Sequence, residues 1–396
     1  MNVIVKFSFM EEWKSIRLGD IVRIGSGLAY KADHLGSGDA LLLGMGCVSF
    51  NEKFLKKGAR LYSGTSEERY IVSPGDIVLA TRQQSDNLPI LGMPAIIPED
   101  YQGKRLIAGS NLYIVHNQSD IDNRFLYWLL KTPGYINHIS SCKTGTTVRM
   151  ITKKDVESFV FKCPPKEERE RIADFLWSIE DKIDLNNRIN HNLEEQADCL
   201  ISSAIETQSI GSAHLWDICS YVTERVNNDT LNNKNYISTD NMFANKGGIG
   251  IASTIPDGKC TSFKVRDVLV SNIRPYFKKI WRASFSGGCS NDVLCFRTTK
   301  GTSSFLYHLL RSDVFFDYVM SGAKGSKMPR GDKQHIMNWT IPVFEKAIII
   351  SLEDSLEVID DRVAIIQEEN RRLSAIRDSL LPMLMTNSIY INDLTC

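Results

Sequence analysis

The sequence lacks three features that would assign it to a common class. Lys and Arg equal Asp and Glu at 47 each, so the formal net charge is zero and nucleic-acid binding would need local basic patches. No apolar run approaches the roughly 18 residues of a membrane span, so no membrane association is expected. The nine cysteines include no CxxC pair, which favours reduced thiols and a cytoplasmic protein.

Motifs of catalytic and cofactor sites are absent as well. Neither GxGxxG nor GxxxxGK[ST] occurs, and the glycines of KGGIGIAS (246–253) are spaced as in a turn rather than a phosphate loop. The seven histidines show no metal-ligand spacing. The Asn/Asp-Pro-Pro-aromatic signature of amino-methyltransferases is missing. We therefore predict no catalytic residue, metal or cofactor in the chain itself. Residues 1–13 are interpreted as a first strand rather than a secretory signal.

The sequence does contain an internal repeat, which is its most informative feature. FLYWLL (125–130) returns as FLYHLL (305–310), 180 positions later. Upstream the offset drifts, because SPGDIVLATR (73–82) resembles KVRDVLVSNIRP (264–275) at 191, and IRLGDI (16–21) weakly resembles AHLWDI (213–218) at 197. Downstream the offset of 180 equates Ile179 with Ile359, Asn190 with Asn370 and Leu200 with Leu380. The chain is therefore predicted to be a module and a helix, each present twice.

Each module is followed by a long heptad pattern. In the first, positions 172, 176, 179, 183, 186, 190, 193, 197, 200 and 204 form an a/d seam with asparagines at its middle. The second has the same spacing from Leu352 to Leu380, and Pro382 is expected to end it. Asn190 and Asn370 are candidates for fixing the register of the helix pair. The alternative is two amphipathic helices on separate cores.

This pattern predicts the domain organisation. The two helices would pair as an antiparallel coiled coil about 55 Å long, with a module at each end and an internal pseudo-two-fold axis. The fold class is α+β, with two tandem mixed α/β modules that contain strands at 76–81, 111–116, 267–272 and 292–297. FLYWLL and FLYHLL are predicted to be short core helices. The predicted segments are 1–163, first module; 164–207, first helix; 208–344, second module; 345–386, second helix; and 387–396, tail.

Basic and amide side chains cluster on corresponding loops of the two copies. The candidates in the first copy are Arg82, Gln83, Gln84, Lys143, Thr146, Arg149, Lys153 and Lys154. Those in the second are Arg274, Tyr276, Lys278, Lys279, Lys324, Lys327 and Arg330. Arg and Lys bind phosphates, while Arg, Gln and Asn also recognise base edges. One such cluster could be an ordinary solvated loop, but two in each copy favour DNA binding.

The whole organisation resembles the specificity (S) subunit of type I restriction–modification systems. The resemblance rests on WKSIRLGDI (13–21), SPGDIVLATR (73–82), the stretch 125–147, PPKEERERIADFL (164–176) and their second-copy counterparts. It implies that each module is a target recognition domain for one half of a bipartite, asymmetric site in double-stranded DNA. It also implies that the helices act as a spacer and as the docking surface for two methyltransferase subunits, which would carry S-adenosylmethionine.

Motor and endonuclease subunits would join this complex for cleavage, and the chain itself would be a non-catalytic component. The alternative hypothesis is a duplicated protein-binding scaffold without DNA recognition. Steep salt dependence of binding separates the two, because it arises from phosphate contacts.

Overall fold

The computed structural model describes residues 13–84 and 89–391. The chain divides into two compact units, residues 1–184 with 372–396 and residues 185–371. Each unit holds one module and parts of two long helices. Most of the predicted first strand, residues 1–12, and the end of the tail, residues 392–396, lie outside the described residues.

The first module contains two four-stranded sheets, ordered β2-β10-β6-β8 and β4-β3-β9-β5, and two strand pairs, β1-β12 and β7-β11. Its strands are β1 Lys14–Arg17, β2 Val22–Ser26, β3 Leu35–Leu43, β4 Ala59–Tyr62, β5 Ile71–Val72, β6 Ile77–Ala80, β7 Arg82–Gln83, β8 Pro94–Ile96, β9 Leu106–Ala108, β10 Leu112–Asn117, β11 Arg149–Met150 and β12 Val160–Cys163. The strands predicted at 76–81 and 111–116 are β6 and β10, and both are buried β-branched and leucine-rich segments.

The second module has the same plan, with sheets ordered β14-β21-β18-β19 and β15-β17-β20-β16 and the pair β13-β22. Its strands are β13 Gly211–His214, β14 Cys219–Tyr221, β15 Arg225–Asn227, β16 Tyr236–Ile237, β17 Lys259–Phe263, β18 Val268–Ser271, β19 Ile280–Arg282, β20 Gly287–Cys289, β21 Val293–Thr298 and β22 Thr340–Val343. The strands predicted at 267–272 and 292–297 are β18 and β21.

Eight α-helices occur among the described residues. They are α1 Asn123–Leu129, α2 Pro133–Cys142, α3 Lys153–Glu157, α4 Lys166–Gln208, α5 Ser303–Arg311, α6 Asp313–Ser321, α7 Lys333–Met337 and α8 Lys346–Leu384. FLYWLL lies largely in α1 and FLYHLL in α5, and both pack into the cores of their modules. These repeated residues are therefore structural, as predicted.

The weak sequence match between 16–21 and 213–218 reflects equivalent structure. In each copy a strand leads into one turn of 3₁₀ helix, Leu18–Asp20 in the first and Leu215–Asp217 in the second. The leucine side chain is buried in both copies. The Leu18 amide donates to the Phe159 carbonyl just before β12, at 2.7 Å, and the Leu215 amide donates to the Trp339 carbonyl just before β22, at 2.9 Å. Phe159 and Trp339 are themselves 180 positions apart.

The second long helix continues past the proline that was expected to end it. Pro382 lies inside α8, which ends at Leu384. Proline removes one backbone donor and costs helix stability. However, Leu381 and Leu384 on either side of it are buried in the core of the first module, and this burial outweighs the lost hydrogen bond.

The heptad seam shifts by one residue at the same place in both helices. Leu200, assigned to the seam, is 39% exposed, whereas Ile201 is buried. In the second copy Leu381 is buried and Leu380 only partly so. A straight α-helix drifts by about 20° per heptad relative to a 3.5-residue repeat. Over this length the drift turns the next residue towards the module core.

Candidate nucleic-acid interface

In the first module, the two predicted clusters meet. Strand β7 follows β6 directly, and it pairs with β11 in antiparallel register, Arg149 opposite Gln83 and Met150 opposite Arg82. A tight turn precedes β11, in which Thr144 and Met150 exchange backbone hydrogen bonds of 3.0 and 2.9 Å. The turn needs glycine at position 145, where φ is +92°. Loops more than 60 positions apart in the sequence thus form one surface.

The candidate side chains on this surface differ in exposure. Arg82, Gln84, Lys143, Thr146 and Lys154 are exposed, while Arg149 and Lys153 are half-buried. Gln83 is buried, and its Oε1 accepts a hydrogen bond from the Leu91 amide at 3.3 Å. The structure therefore gives Gln83 a contact inside the module, while its neighbours Arg82 and Gln84 face solvent.

The second module brings its two clusters together in the same way. The segment after β18 bridges the turn 324–330, with Ile273 opposite Arg330 and Lys324 opposite Arg330. The Arg274 amide donates to the Pro329 carbonyl at 2.8 Å, and Lys324 and Arg330 exchange two backbone hydrogen bonds of 2.9 Å. Gly325, the counterpart of Gly145, has a φ of +99°. We call these two paired-loop surfaces the first and second loop hairpins.

Several cations of the second loop hairpin already have protein partners. Lys278 Nζ lies 3.0 Å from Asp313, Lys324 Nζ 2.7 Å from Asp332, and an Arg330 amino group 3.2 Å from Asp292. Lys279 Nζ donates to the Thr239 carbonyl at 2.5 Å, and burial lowers the pKa of this lysine. Lys327 is exposed, and so is Tyr276 at 46%.

Sequence reasoning missed the carboxylates that face these cations. The stretch 272–282 contains no acid, but Asp292, Asp313 and Asp332 reach its neighbourhood from a turn and from two helix starts. Asp313 and Asp332 are at or next to N-caps, where acids are common for helix stability alone. That local role gave no signal of the cross-loop ion pairs.

The polar layer of the helix pair is centred on Asn370. Its Oδ1 accepts from Asn186 Nδ2 at 2.8 Å, and its Nδ2 donates to Asn187 Oδ1 at 2.9 Å. Asn190 is buried, but its Oδ1 has no hydrogen-bond partner. The repeat equates Asn186 with Ile366, so the polar layer differs between the two copies. A register role for Asn190 and Asn370 stays a prediction.

Two further features are absent from the described part of the chain. Within residues 13–84 and 89–391, no three His, Cys, Asp or Glu side chains are grouped so as to hold a metal ion. None of the helices there is both long and apolar enough to cross a membrane.

Comparison with known proteins found similar sequences and a similar fold. A model of the type I restriction modification DNA specificity domain matches residues 10–195. The type I restriction enzyme HindI specificity subunit of Haemophilus influenzae is 27% identical over 198 residues, 49% of this chain and 41% of that protein. The MjaVIII specificity subunit of Methanocaldococcus jannaschii is 23% identical over 189 residues, 47% of this chain and 43% of that protein. The chain thus spans less than half the length of these relatives.

The fold of the whole chain also has a counterpart. The crystal structure of a type I restriction-modification S subunit from M. genitalium covers 96% of this chain and 97% of its own, with a TM-score of 0.57 and 14% sequence identity. The match to the type I restriction modification DNA specificity domain thus covers just under half of the chain. The chain as a whole has the fold of a type I S subunit, and the resemblance seen in the sequence is confirmed.

Proposed function

We propose that this chain is the DNA sequence-recognition subunit of a type I restriction–modification complex. Each module binds one half of a bipartite, asymmetric site in double-stranded DNA. The observation that carries the proposal is the paired-loop arrangement. In both modules, two basic clusters distant in sequence, the first module's also containing glutamines, form one hairpin surface with matching bridges. Such a surface suits phosphate contacts from Arg and Lys and base contacts from Arg and Gln.

The side chains of the two hairpins differ, so the two half-sites differ. In the first, Arg82, Gln84, Lys143, Thr146, Arg149, Lys153 and Lys154 contact DNA. In the second, Arg274, Tyr276, Lys324, Lys327 and Arg330 do so, and Lys278 and Lys279 act mainly by holding the loop. Residues 1–163 and 208–344 are the two target recognition domains.

The chain has no chemistry of its own in this proposal. Two methyltransferase subunits dock on α4 and α8 and supply S-adenosylmethionine, and motor–endonuclease subunits complete the cytoplasmic complex. The helices also set the number of unrecognised base pairs between the half-sites, with Asn190 and Asn370 fixing their register.

Methylome sequencing tests this function. Cells that carry the methyltransferase with this chain should show one bipartite methylated motif, and cells without the chain should lack it.

Lys327→Ala should weaken binding of the purified chain to this motif and lower its salt slope by up to about one unit. Matched Lys300→Ala alters an exposed lysine outside the hairpins and should leave the slope unchanged. Absence of any chain-dependent motif contradicts the proposal, and salt-independent binding favours the protein-scaffold alternative.

The spacer role has its own test. One heptad inserted at paired positions of both helices keeps the seam in phase and lengthens each helix by about 10 Å, which is roughly three base pairs. The methylated motif should keep both half-sites and gain a longer spacer. Four residues inserted into α4 alone break the phase, so methylation should collapse. A folded, active heptad variant with the original spacer rules out the helices as the ruler.

A further inference from the structure

The most strained segment of the described chain lies beside the second loop hairpin. Six non-glycine residues among those described have a positive φ. Four of them, Asn245, Lys246, Arg274 and Lys278, belong to two adjoining turns. Such residues persist only where the surrounding structure holds them, and they concentrate at functional sites. Arg274 and Lys278 flank a single turn of 3₁₀ helix, Pro275–Phe277.

The surroundings hold this turn through its backbone. The amides of Asn245 and Lys246 donate to the carbonyls of Phe277 and Lys278 at 2.7 and 2.8 Å. Asp313 forms ion pairs with both Lys246 and Lys278, whose Nζ atoms lie 2.9 and 3.0 Å from its Oδ1. Both ammonium groups donate to the Asp313 carboxylate and lower its pKa. The turn is therefore clamped before any ligand arrives.

The clamped turn presents two aromatic side chains to solvent. Tyr276 is 46% exposed and Phe277 is 37% exposed. Their ring centroids lie 4.7 Å apart, and Lys279 Nζ lies 5.8 Å from the Phe277 ring. Exposing aromatic surface and holding a strained backbone both oppose folding. A ligand that covers the ring pair would recover the free energy lost by exposing the two rings.

The neighbouring charge identifies the class of ligand. The Arg274 amide binds the Pro329 carbonyl, so the aromatic turn is joined directly to the hairpin that carries Lys324, Lys327 and Arg330. Lys324 and Arg330 pair with Asp332 and Asp292 but remain exposed, and Lys327 is exposed as well. An aromatic tip beside exposed cations suits a duplex, because the cations meet phosphates while an apolar side chain enters a base step.

We propose that Tyr276 and Phe277 form an aromatic wedge that unstacks one base step within the half-site bound by the second module. Part of the sequence preference of that module would then arise from how easily the step deforms, as for other inserted wedges. This inference rests on the proposed function. It adds a means of recognition that does not depend on hydrogen bonds to base edges.

The test uses the full chain and a duplex with the motif found by methylome sequencing. Permanganate reactivity of thymines reports unstacking, and fluorescence anisotropy reports affinity. Wild-type chain should make one step of the second half-site reactive. The double variant Tyr276→Ala with Phe277→Ala should lose this reactivity and bind roughly tenfold more weakly. Its salt slope should be unchanged, because no cation is removed.

Two further variants separate the wedge from other causes. Tyr276→Phe keeps the ring and should keep the reactivity. Trp216→Ala removes an equally exposed aromatic, 47% against 46%, from a different turn of the module, and should change neither readout. Weaker binding by the double variant with thymine reactivity retained overturns the wedge, as does wild-type binding without any unstacking. A wild-type chain that selects no motif contradicts the proposed function itself.

Discussion

The two modules contact the long helices through equivalent positions, but the ion pairs made at these positions differ. The offset of 180 equates Trp128 with His308, Lys131 with Arg311, and Glu180 with Asp360. In the first unit, Arg377 of α8 donates to both oxygens of Glu180, at 3.0 and 2.9 Å, beneath the Trp128 ring. In the second unit the arginine comes from the module instead. Arg311 of α5 binds Asp198 and Glu194 of α4, at 2.8 and 2.5 Å.

This difference shows that the same contact between module and helix can be held by two different sets of ion pairs. The residue equivalent to Arg377 is Ala197, so the arginine that pairs with the helix carboxylates comes from the helix in the first unit and from the module in the second. The first contact is dry, with both charged side chains under 10% exposed, whereas the carboxylates of the second are 53% and 28% exposed. A module exchanged between the two positions would meet mismatched charges.

The largest effect is expected when the dry pair is broken. Arg377→Met leaves the Glu180 carboxylate buried without its main partner, which costs about 3–5 kcal/mol. Arg311→Met leaves carboxylates that reach water, so roughly 1–2 kcal/mol is expected. Hydrogen–deuterium exchange of peptides covering α1 and α5 measures each module separately. The double variant Arg377→Met with Glu180→Met should recover most of the loss, and equal losses in both modules would contradict the comparison.

Lys131 gives the first unit a pH dependence at alkaline pH. Burial lowers the pKa of this lysine to about 8 from 10.5. The unfolded chain therefore binds more protons between these pH values, and the Lys131 contribution to stability rises as pH rises through this window. Lys131→Met should protect α1 at pH 7 by about 2 kcal/mol and flatten the rise between pH 8 and 10.5. The measurement is hydrogen–deuterium exchange of α1 in both chains across this pH range. Lys300→Met, at an exposed lysine, is the control and should leave the rise unchanged.

His308 gives the second unit a dependence of opposite sign at lower pH. Burial lowers its pKa, but the Asp198 carboxylate, 3.9 Å from Nδ1, and Asp360, hydrogen-bonded to Nε2 at 3.0 Å, outweigh burial and Arg311, so the net shift is upward from 6.5. Arg282, Glu194 and Tyr307 complete its surroundings. A raised pKa means that the stabilisation is complete below pH 6.5 and is lost as pH rises through the folded value.

His308→Gln should therefore cost about 1.5–3 kcal/mol at pH 6 and less at pH 8.5, with exchange of α5 as the measurement. His138→Gln changes a histidine of the first module and is the control: exchange of α5, in the second module, should not change at either pH. An equal loss at both pH values would mean that the imidazolium contributes nothing.

The sequence predicted what depends on periodicity and missed what depends on tertiary contacts. The repeat, both long helices, and the strands at 76–81 and 267–272 follow from local patterns. The one-residue shift from Leu200 to Ile201 follows from helix drift only once the position of the module core is known, and the heptad spacing does not contain that position. The inward contact of Gln83 and the pairing of Lys278 with Asp313 also depend on segments distant in sequence. Residue type therefore located the candidate surface, but not which of its side chains are available to a ligand.

The smallest effect compares the turns of the two loop hairpins. Gly145 and Gly325 share a positive φ, so alanine at either position costs about 1 kcal/mol of backbone strain. The close contacts differ, because a Cβ would lie 2.2 Å from the Val148 carbonyl oxygen at position 145 but 3.2 Å from that of Met328 at position 325. Gly145→Ala must therefore also open its turn, and amide exchange at Thr144 and Met150 should rise more than at Lys324 and Arg330 in Gly325→Ala.

Binding to the motif should weaken through the first half-site only in Gly145→Ala, and through the second, more mildly, in Gly325→Ala. Gly134→Ala, at a helical glycine with open space around its Cβ position, is the neutral control. If both turn variants open equally, a small shift of the turn relieves the carbonyl contact at position 145. The shared positive φ alone would then set the cost of alanine at both positions.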